Sequence, residues 1–207
     1  MVGQMNTGRG RFAPLVAAVL ALALIAGGWW WLARSRSRAA DAPPLAGSGI
    51  GGPFTLIDQD GKRVSDRDFA GRYRLIYFGY TFCPDVCPTD LARNAKALVA
   101  AGDVAGNVQP IFITVDPERD TPAVLKQYVA NFPPRLIGLT GNLDAVRRVA
   151  AEYKVFAEKQ PTAGAAGYLM SHTDITYLMG PRGEPIAFFP GSDTPAVVAT
   201  ALKRYVR

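Results

Sequence analysis

Two residue types that usually mark chemistry are nearly missing: the 207-residue chain has only two cysteines, Cys83 and Cys87, and one histidine, His172. A structural zinc site normally draws four protein ligands from Cys and His, so a zinc-built fold is argued against. A bridge between cysteines with three residues between them closes a very small loop and removes little unfolded-state entropy, so a purely structural disulfide is a weak reading. Internal repeats are lacking. Charge is lacking from residues 12–33, and an excess of one sign is lacking from the region after residue 40. The formal net charge is +6, with 23 Lys and Arg against 17 acids. Five of the basic residues, Arg9, Arg11, Arg34, Arg36 and Arg38, flank the uncharged run, so the region after residue 40 carries only +1. That distribution gives no electrostatic footprint for nucleic acid.

What is present first is the run itself, "FAPLVAAVLALALIAGGWWWLA", 22 residues from Phe12 to Ala33. The length suffices for a transmembrane helix. A cleaved signal peptide has an apolar region of only ~7–15 residues, and three successive tryptophans suit a membrane interface, so the run reads as an uncleaved anchor. Arginines on both sides leave its orientation undecided. Only eleven residues precede it, little room for a mitochondrial presequence, so the expectation is a single-pass protein of a bacterial inner membrane. Residues 1–11 form a short N-terminal segment, 12–33 the anchor, 34–53 a linker ending in the Pro/Gly/Ala-rich "DAPPLAGSGIGGP", and 54–207 the globular domain.

The domain reads as mixed α/β. "FTLIDQDGKRVS" predicts a hairpin around Asp60-Gly61, "YRLIYFGY" a buried strand, and "PTDLARNAKALVAA" a helix with Pro88 in its first turn. "VQPIFITVD" is the next strand, then a helix over about 122–132, the strand "LIGLTG" and the helix "NLDAVRRVAAEY". A Gly/Ala-rich loop precedes the strands "DITYLM" and "PIAFF", and "TPAVVATALKRYVR" closes the chain as a helix. Alternating strands and helices, then an antiparallel pair and a last helix, suggest the thioredoxin kind of sandwich.

Within "YTFCPDVCPTDL" an extended chain would hold the two sulfurs about 13 Å apart. A strand-to-helix turn brings them together, because four residues of near-helical chain rise only about 6 Å. Unpaired amides at the helix start favour thiolate over thiol. A redox pair and a pair of metal ligands both remain open. His172 is expected in the loop before a strand, where thioredoxin-type oxidoreductases carry a proline facing their cysteines; the nearest preceding proline here is Pro161. Two thiolates with one imidazole suit a soft ion, and copper fits best. A right-handed crossover between the two central strands would put Asp116 at the cysteines' sheet edge, where it either tunes the site or makes an Asp-Pro turn. Asp85, between the cysteines, either influences their charge from behind or caps the helix with its carboxylate. Among Phe78, Tyr80 and Phe82, some belong to the core and one or two wall the site. Tyr80 stands where a peroxiredoxin would carry a threonine three residues before its reactive cysteine, which argues against a peroxidase.

From about Phe54 to Arg207, and in its anchor, the chain resembles the Sco (SenC) family of membrane-anchored, thioredoxin-fold copper chaperones for cytochrome c oxidase. The resemblance rests on "YFGYTFCPDVCPTDL", "FITVDPERDTP" and the single histidine before "TDITYLMGPRGE", in that order. It implies a thioredoxin-like fold with an N-terminal β-hairpin, and Cys83, Cys87 and His172 as ligands of one copper ion, Cu(I) or Cu(II). It implies delivery to the binuclear copper site of cytochrome c oxidase subunit II, with other periplasmic copper chaperones and thioredoxin-like reductants as further partners, and a periplasmic domain. Such a protein binds and transfers; it is not a turnover enzyme. The rival is a thiol-disulfide oxidoreductase that reduces the oxidase's cysteines through the same pair, cycling through a Cys83–Cys87 disulfide. Ser171 departs from the family pattern, in which many members have an aspartate before the histidine.

Overall fold

The computed structural model describes residues 20, 22–29, 45–132, 135–162 and 167–207. The chain divides into two units, Met1–Ala42 and Pro43–Arg207. Much of the predicted anchor and the first part of the linker lie outside the described residues. Leu20 and residues 22–29 are helical and exposed. Among the described residues no helix is long and apolar enough to cross a membrane. The end of the expected linker runs along the domain: Leu45 N–H donates to the Ile186 carbonyl at 3.3 Å and Gly51 N–H to that of Glu152 at 2.8 Å.

The second unit is built on a seven-stranded mixed sheet. Its strands are β1 (Thr55–Asp58), β2 (Arg63–Ser65), β3 (Tyr73–Gly79), β4 (Val108–Thr114), β5 (Ile137–Thr140), β8 (Ile175–Met179) and β9 (Pro185–Pro190), in the order β2-β1-β5-β4-β3-β8-β9. The predicted hairpin is β1–β2: the Asp58 carboxylate accepts from the amides of Asp60 and Lys62 at 2.9 Å, and Gly61 takes the left-handed φ of 79° that closes the turn. Every residue of β3 and β4 is buried, as expected of central parallel strands. Pro110 fits inside β4 because pairing with β5 begins only at Ile111, so its missing N–H interrupts no bond on that side.

Four helices cover the sheet: α1 (Val86–Ala101), α2 (Pro122–Val129), α3 (Leu143–Glu152) and α4 (Pro195–Tyr205). The last three start with a side-chain oxygen at the cap. Thr121 accepts from Val124 N–H at 3.4 Å, Asn142 from Ala145 at 2.8 Å, and Thr194 from Val197 at 3.4 Å. Helix α1 has no such oxygen: the Asp85 carboxylate, expected as one alternative to cap it, makes no capping bond.

The stretch expected to be a Gly/Ala-rich loop contains instead a separate hairpin, β6 (Ala157–Pro161) and β7 (Tyr168–His172), paired only with each other. His172 therefore ends a strand and does not sit in a loop.

The last residue of β3 is a glycine for a steric reason. A Cβ there would lie 2.9 Å from the Tyr77 ring and 3.0 Å from both Cys87 Sγ and the Phe112 ring, closer than side chains tolerate. Gly79→Ala is expected to lower stability in urea unfolding by about 1–3 kcal/mol. Gly106→Ala, where nothing lies within 4 Å of the added carbon, is expected to change it by less than ~0.5 kcal/mol. Equal effects would show that the close approach of Cys87 does not matter.

Candidate metal centre

The parallel pairing of β3 and β4 brings the segments that leave their C-terminal ends to one edge of the sheet. From β3 leaves the cysteine segment, and from β4 the segment 115–121. The two are stitched together by Asp120, which is buried. Its carboxylate accepts from the Thr81 amide at 3.0 Å, the Thr81 hydroxyl at 2.6 Å and the Thr114 hydroxyl at 2.6 Å. The position of Cys83, two residues past Thr81, is thereby fixed from the neighbouring strand.

At the start of α1 the chain turns so that the Cys87 amide donates to Cys83 Sγ at 3.4 Å. The sulfur does what an oxygen does at the other helices: it accepts an unpaired N–H of the first turn. Both cysteines are buried and free of any disulfide. The Cys87 sulfur lies 3.3 Å from His172 Nε2. The sulfurs of Cys83 and Cys87 and a ring nitrogen of His172 all lie within 4.8 Å of one another, the only such group of three or more possible ligands among the described residues.

The tautomer of His172 is set by its other nitrogen. Nδ1 is 3.0 Å from the Thr173 carbonyl, which can only accept, so Nδ1 carries the proton and Nε2 turns its lone pair to the sulfurs. The Ser171 side chain, where the family pattern often has an aspartate, is exposed and takes no part in that arrangement. Tyr77 and Tyr80 stand edge-on to the imidazole, with ring centroids 6.3 and 5.8 Å away, and wall the site. Phe78 belongs to the core instead, tilted against Tyr153 and edge-on to Tyr177, and Phe82 is exposed beside the site.

In the metal-free protein the sulfurs share one proton unequally. The hydrogen bond from the Cys87 thiol brings Cys83 down to about 4, against the cost of burial and with help from His172 and the amides of Asp85 and Cys87. Donating that hydrogen bond to Cys83, together with burial, pushes Cys87 well above the ordinary thiol range. Burial alone would lower the imidazole, but the hydrogen bonds open to its protonated form, from Nε2–H to Cys83 and from Nδ1–H to the Thr173 carbonyl, outweigh this and raise it. The resting site is a thiolate beside a thiol, with imidazole at hand to take up or release a proton.

Of the two acids singled out in the sequence, neither is within that ligand group. Asp85 is exposed at the head of α1. Asp116 is buried, and its carboxylate binds the Arg119 guanidinium and accepts from the Tyr168 hydroxyl at 2.8 Å. Its carbonyl also accepts the amides of Arg119 and Asp120, so the Asp-Pro turn is formed as well. Sequence reasoning misses a second pair of acids. The Tyr77 hydroxyl donates to Asp174 at 3.1 Å, and burial, with Asp174 as neighbour, pushes Asp90 up to about 7. No local sequence signal marks Asp120 or Asp174, whose partners Thr81 and Tyr77 lie 39 and 97 residues away along the chain, and the i,i+3 pair of Asp90 with Arg93 gives no hint of Asp174 beside it.

Residues 43–207 match the SCO1/SenC family model. The chain is 38% identical over 160 residues to the human mitochondrial SCO1 homolog, covering 76% of this chain and 53% of that protein. It is 40% identical over 158 residues to SenC of Rhodobacter capsulatus, covering 76% and 71%. Several of the curated relatives are much longer, and the chain spans about half the length of human SCO1. Among solved structures, copper-bound ScoI of Bradyrhizobium japonicum is 48% identical, with a TM-score of 0.69 over 75% of this chain and 99% of that one. Copper-bound yeast Sco1 is 34% identical, with a TM-score of 0.68 over 76% and 88%. These likenesses bear out the mixed α/β, thioredoxin-like fold. With its sheet, its cysteine turn and the histidine hairpin all inside the matched region, the chain belongs to the SCO1/SenC family.

Proposed function

We propose that this protein is a copper chaperone that holds one copper ion between Cys83, Cys87 and His172 and delivers it to the binuclear copper site of cytochrome c oxidase subunit II. The observation that carries the reading is the convergence of two sulfurs and an inward-facing Nε2 within 4.8 Å. That donor set fits copper: soft thiolates suit Cu(I), and the imidazole adds the nitrogen that Cu(II) prefers. The copper-bound relatives support it. Copper is cargo here, taken up when the two sulfurs lose their one proton and given up when a proton returns. The 22-residue uncharged run supports attachment by a single span in a bacterial inner membrane, with the domain in the periplasm beside the oxidase.

One observation favours a second reading. A buried thiolate at Cys83 with a thiol behind it is also the arrangement of a dithiol reductant. Cys83 would attack a partner disulfide and release one partner thiolate. Cys87 would then displace the second, leaving a Cys83–Cys87 disulfide and a partner reduced by two electrons. The two roles are compatible, since copper transfer needs reduced sulfurs. Deleting the gene and assaying both oxidase activity and subunit II copper, with and without added copper, tests delivery. Loss of the subunit II centre, relieved by added copper, supports it, and a full centre in the deletion strain refutes it.

Ligand variants separate the roles of the three residues. Cys83→Ala and Cys87→Ala are each expected to lose tight binding of both Cu(I) and Cu(II). His172→Ala is expected to weaken Cu(II) by more than the roughly 10–100-fold typical of losing a group outside the ligand set, while Cu(I) stays held by two thiolates. Competition titrations with a chelator for each oxidation state measure this, and unchanged Cu(II) affinity in His172→Ala would favour the reductant reading.

The charge state of Cys83 is also testable. Because its acidity is raised, the thiolate persists as pH falls and is lost only near pH 4, whereas an ordinary thiol is already protonated below about 8.5. Alkylation of the reduced, metal-free protein by iodoacetamide is expected at Cys83 first, with a rate midpoint near pH 4. A midpoint near the ordinary thiol value of about 8.5 would contradict the shared-proton arrangement.

A further inference from the structure

The hairpin β6–β7 carries His172, yet it hydrogen-bonds to no other strand. A lone two-stranded hairpin is marginal in water, so its placement depends on what grips it. The segment after β4 supplies the grip with three side chains. The Asp116 carboxylate accepts from the Tyr168 hydroxyl at 2.8 Å. Glu118 pairs with Lys159 at 2.6 Å, though both are well exposed and contribute little. Arg119 does the most: Nη1 donates to the Tyr168 carbonyl at 3.0 Å, its guanidinium lies 3.8 Å from the centre of the Tyr168 ring, and Asp116 holds it from behind.

Arg119 faces the cysteine side as well. The same guanidinium is 5.0 Å from the Phe82 ring centre and 5.7 Å from that of Tyr80. Phe82 immediately precedes Cys83, and Tyr80 stands edge-on to the imidazole. Along β7, Tyr168, Met170 and His172 alternate with residues on the opposite face, so they share one face of the strand. A rotation or shift of the strand at Tyr168 therefore carries the imidazole with it.

We infer that Arg119, held by Asp116 and stacked on Tyr168, is a positioning residue that sets His172 against the two cysteines and thereby selects the three-donor site over a two-sulfur site. This rests on the copper reading above and adds to it a residue outside the ligand set. A guanidinium suits the task better than an ammonium, because its planar fork bonds the Asp116 carboxylate and the Tyr168 carbonyl while its face covers the ring. Misplacing the imidazole leaves both thiolates in place, so the effect falls on Cu(II) far more than on Cu(I).

The test uses Arg119→Ala and the milder Arg119→Lys in the full protein, with folding checked by circular dichroism and copper as the probe. Arg119→Ala is expected to weaken Cu(II) by about 10–100-fold, as loss of an orienting partner does, and to shift the Cu(II) absorption spectrum, with Cu(I) affinity changed by less than about threefold. Arg119→Lys keeps a charge but loses the fork, and is expected to fall between; if Arg119→Ala does not fold, the Lys variant carries the comparison. In metal-free protein, amide hydrogen exchange in β7 is expected to quicken. In a His172→Ala background, Arg119→Ala is expected to cost no further Cu(II) affinity, because its whole effect passes through the imidazole. An equal loss in both backgrounds, or unchanged Cu(II) affinity and β7 exchange, would overturn the inference. Should His172→Ala itself leave Cu(II) binding intact, the ligand reading fails, and the inference with it, for a reason unrelated to Arg119.

Discussion

The site depends on one sharp turn, in which the Cys87 amide at the head of α1 finds its acceptor in the Cys83 sulfur. A helix start has unpaired amides that must be satisfied, and at α2, α3 and α4 a Thr or Asn oxygen does it. At α1 the cap position belongs to Asp85, whose carboxylate makes no capping bond, and a sulfur takes over. The capping bond thus does two things at once. It closes the helix, and it sets two sulfurs side by side with a stabilised negative charge on one. Gly79 below and Asp120 beside it allow and hold this geometry: the glycine leaves room for Cys87, and the buried carboxylate ties Thr81 to the neighbouring strand.

The third donor arrives by a different physical route. His172 comes from a hairpin outside the main sheet, 85 residues along the chain from Cys87, and its aim is set by contacts of side chains with the carbonyl of Thr173 and the rings of Tyr77 and Tyr80. The cysteine segment is thus tied directly to the central sheet through Thr81 and Asp120, whereas the imidazole is held through the hairpin's attachment. That asymmetry suits the proposed carrier role. Two fixed thiolates can keep Cu(I), and a nitrogen on a separate element can join or leave as the oxidation state or the partner demands.

Much of this was legible in the sequence, and the gaps have physical causes. β3 and β4 read clearly because buried parallel strands are written as near-continuous apolar runs, here "LIYF" and "IFI", and the crossover rule puts Asp116 at the right edge. The cysteine turn was legible from Pro88 and the strand-to-helix change. The β6–β7 hairpin was not: "AEKQP" is exposed along its whole length, so no alternation betrays it. Without that hairpin the sequence puts His172 in a loop and offers no role for Arg119 or Tyr168. Asp85 could be read as a cap because its position is right; that the neighbouring sulfur wins the amide is a matter of local geometry that spacing cannot express. Nothing in the sequence marks Gly79, because a glycine at a strand end is ordinary and only the approach of a side chain from α1 makes it necessary.

In the proposed copper site one ion is shared by both sulfurs and the histidine nitrogen. X-ray absorption at the copper edge of the Cu(I)-loaded protein tests it most directly, since it counts the neighbours by element. Two sulfur neighbours and one nitrogen at bonding distance are expected in the native protein, with the nitrogen lost in His172→Ala. Two sulfurs and an identical spectrum in native protein and His172→Ala would contradict it.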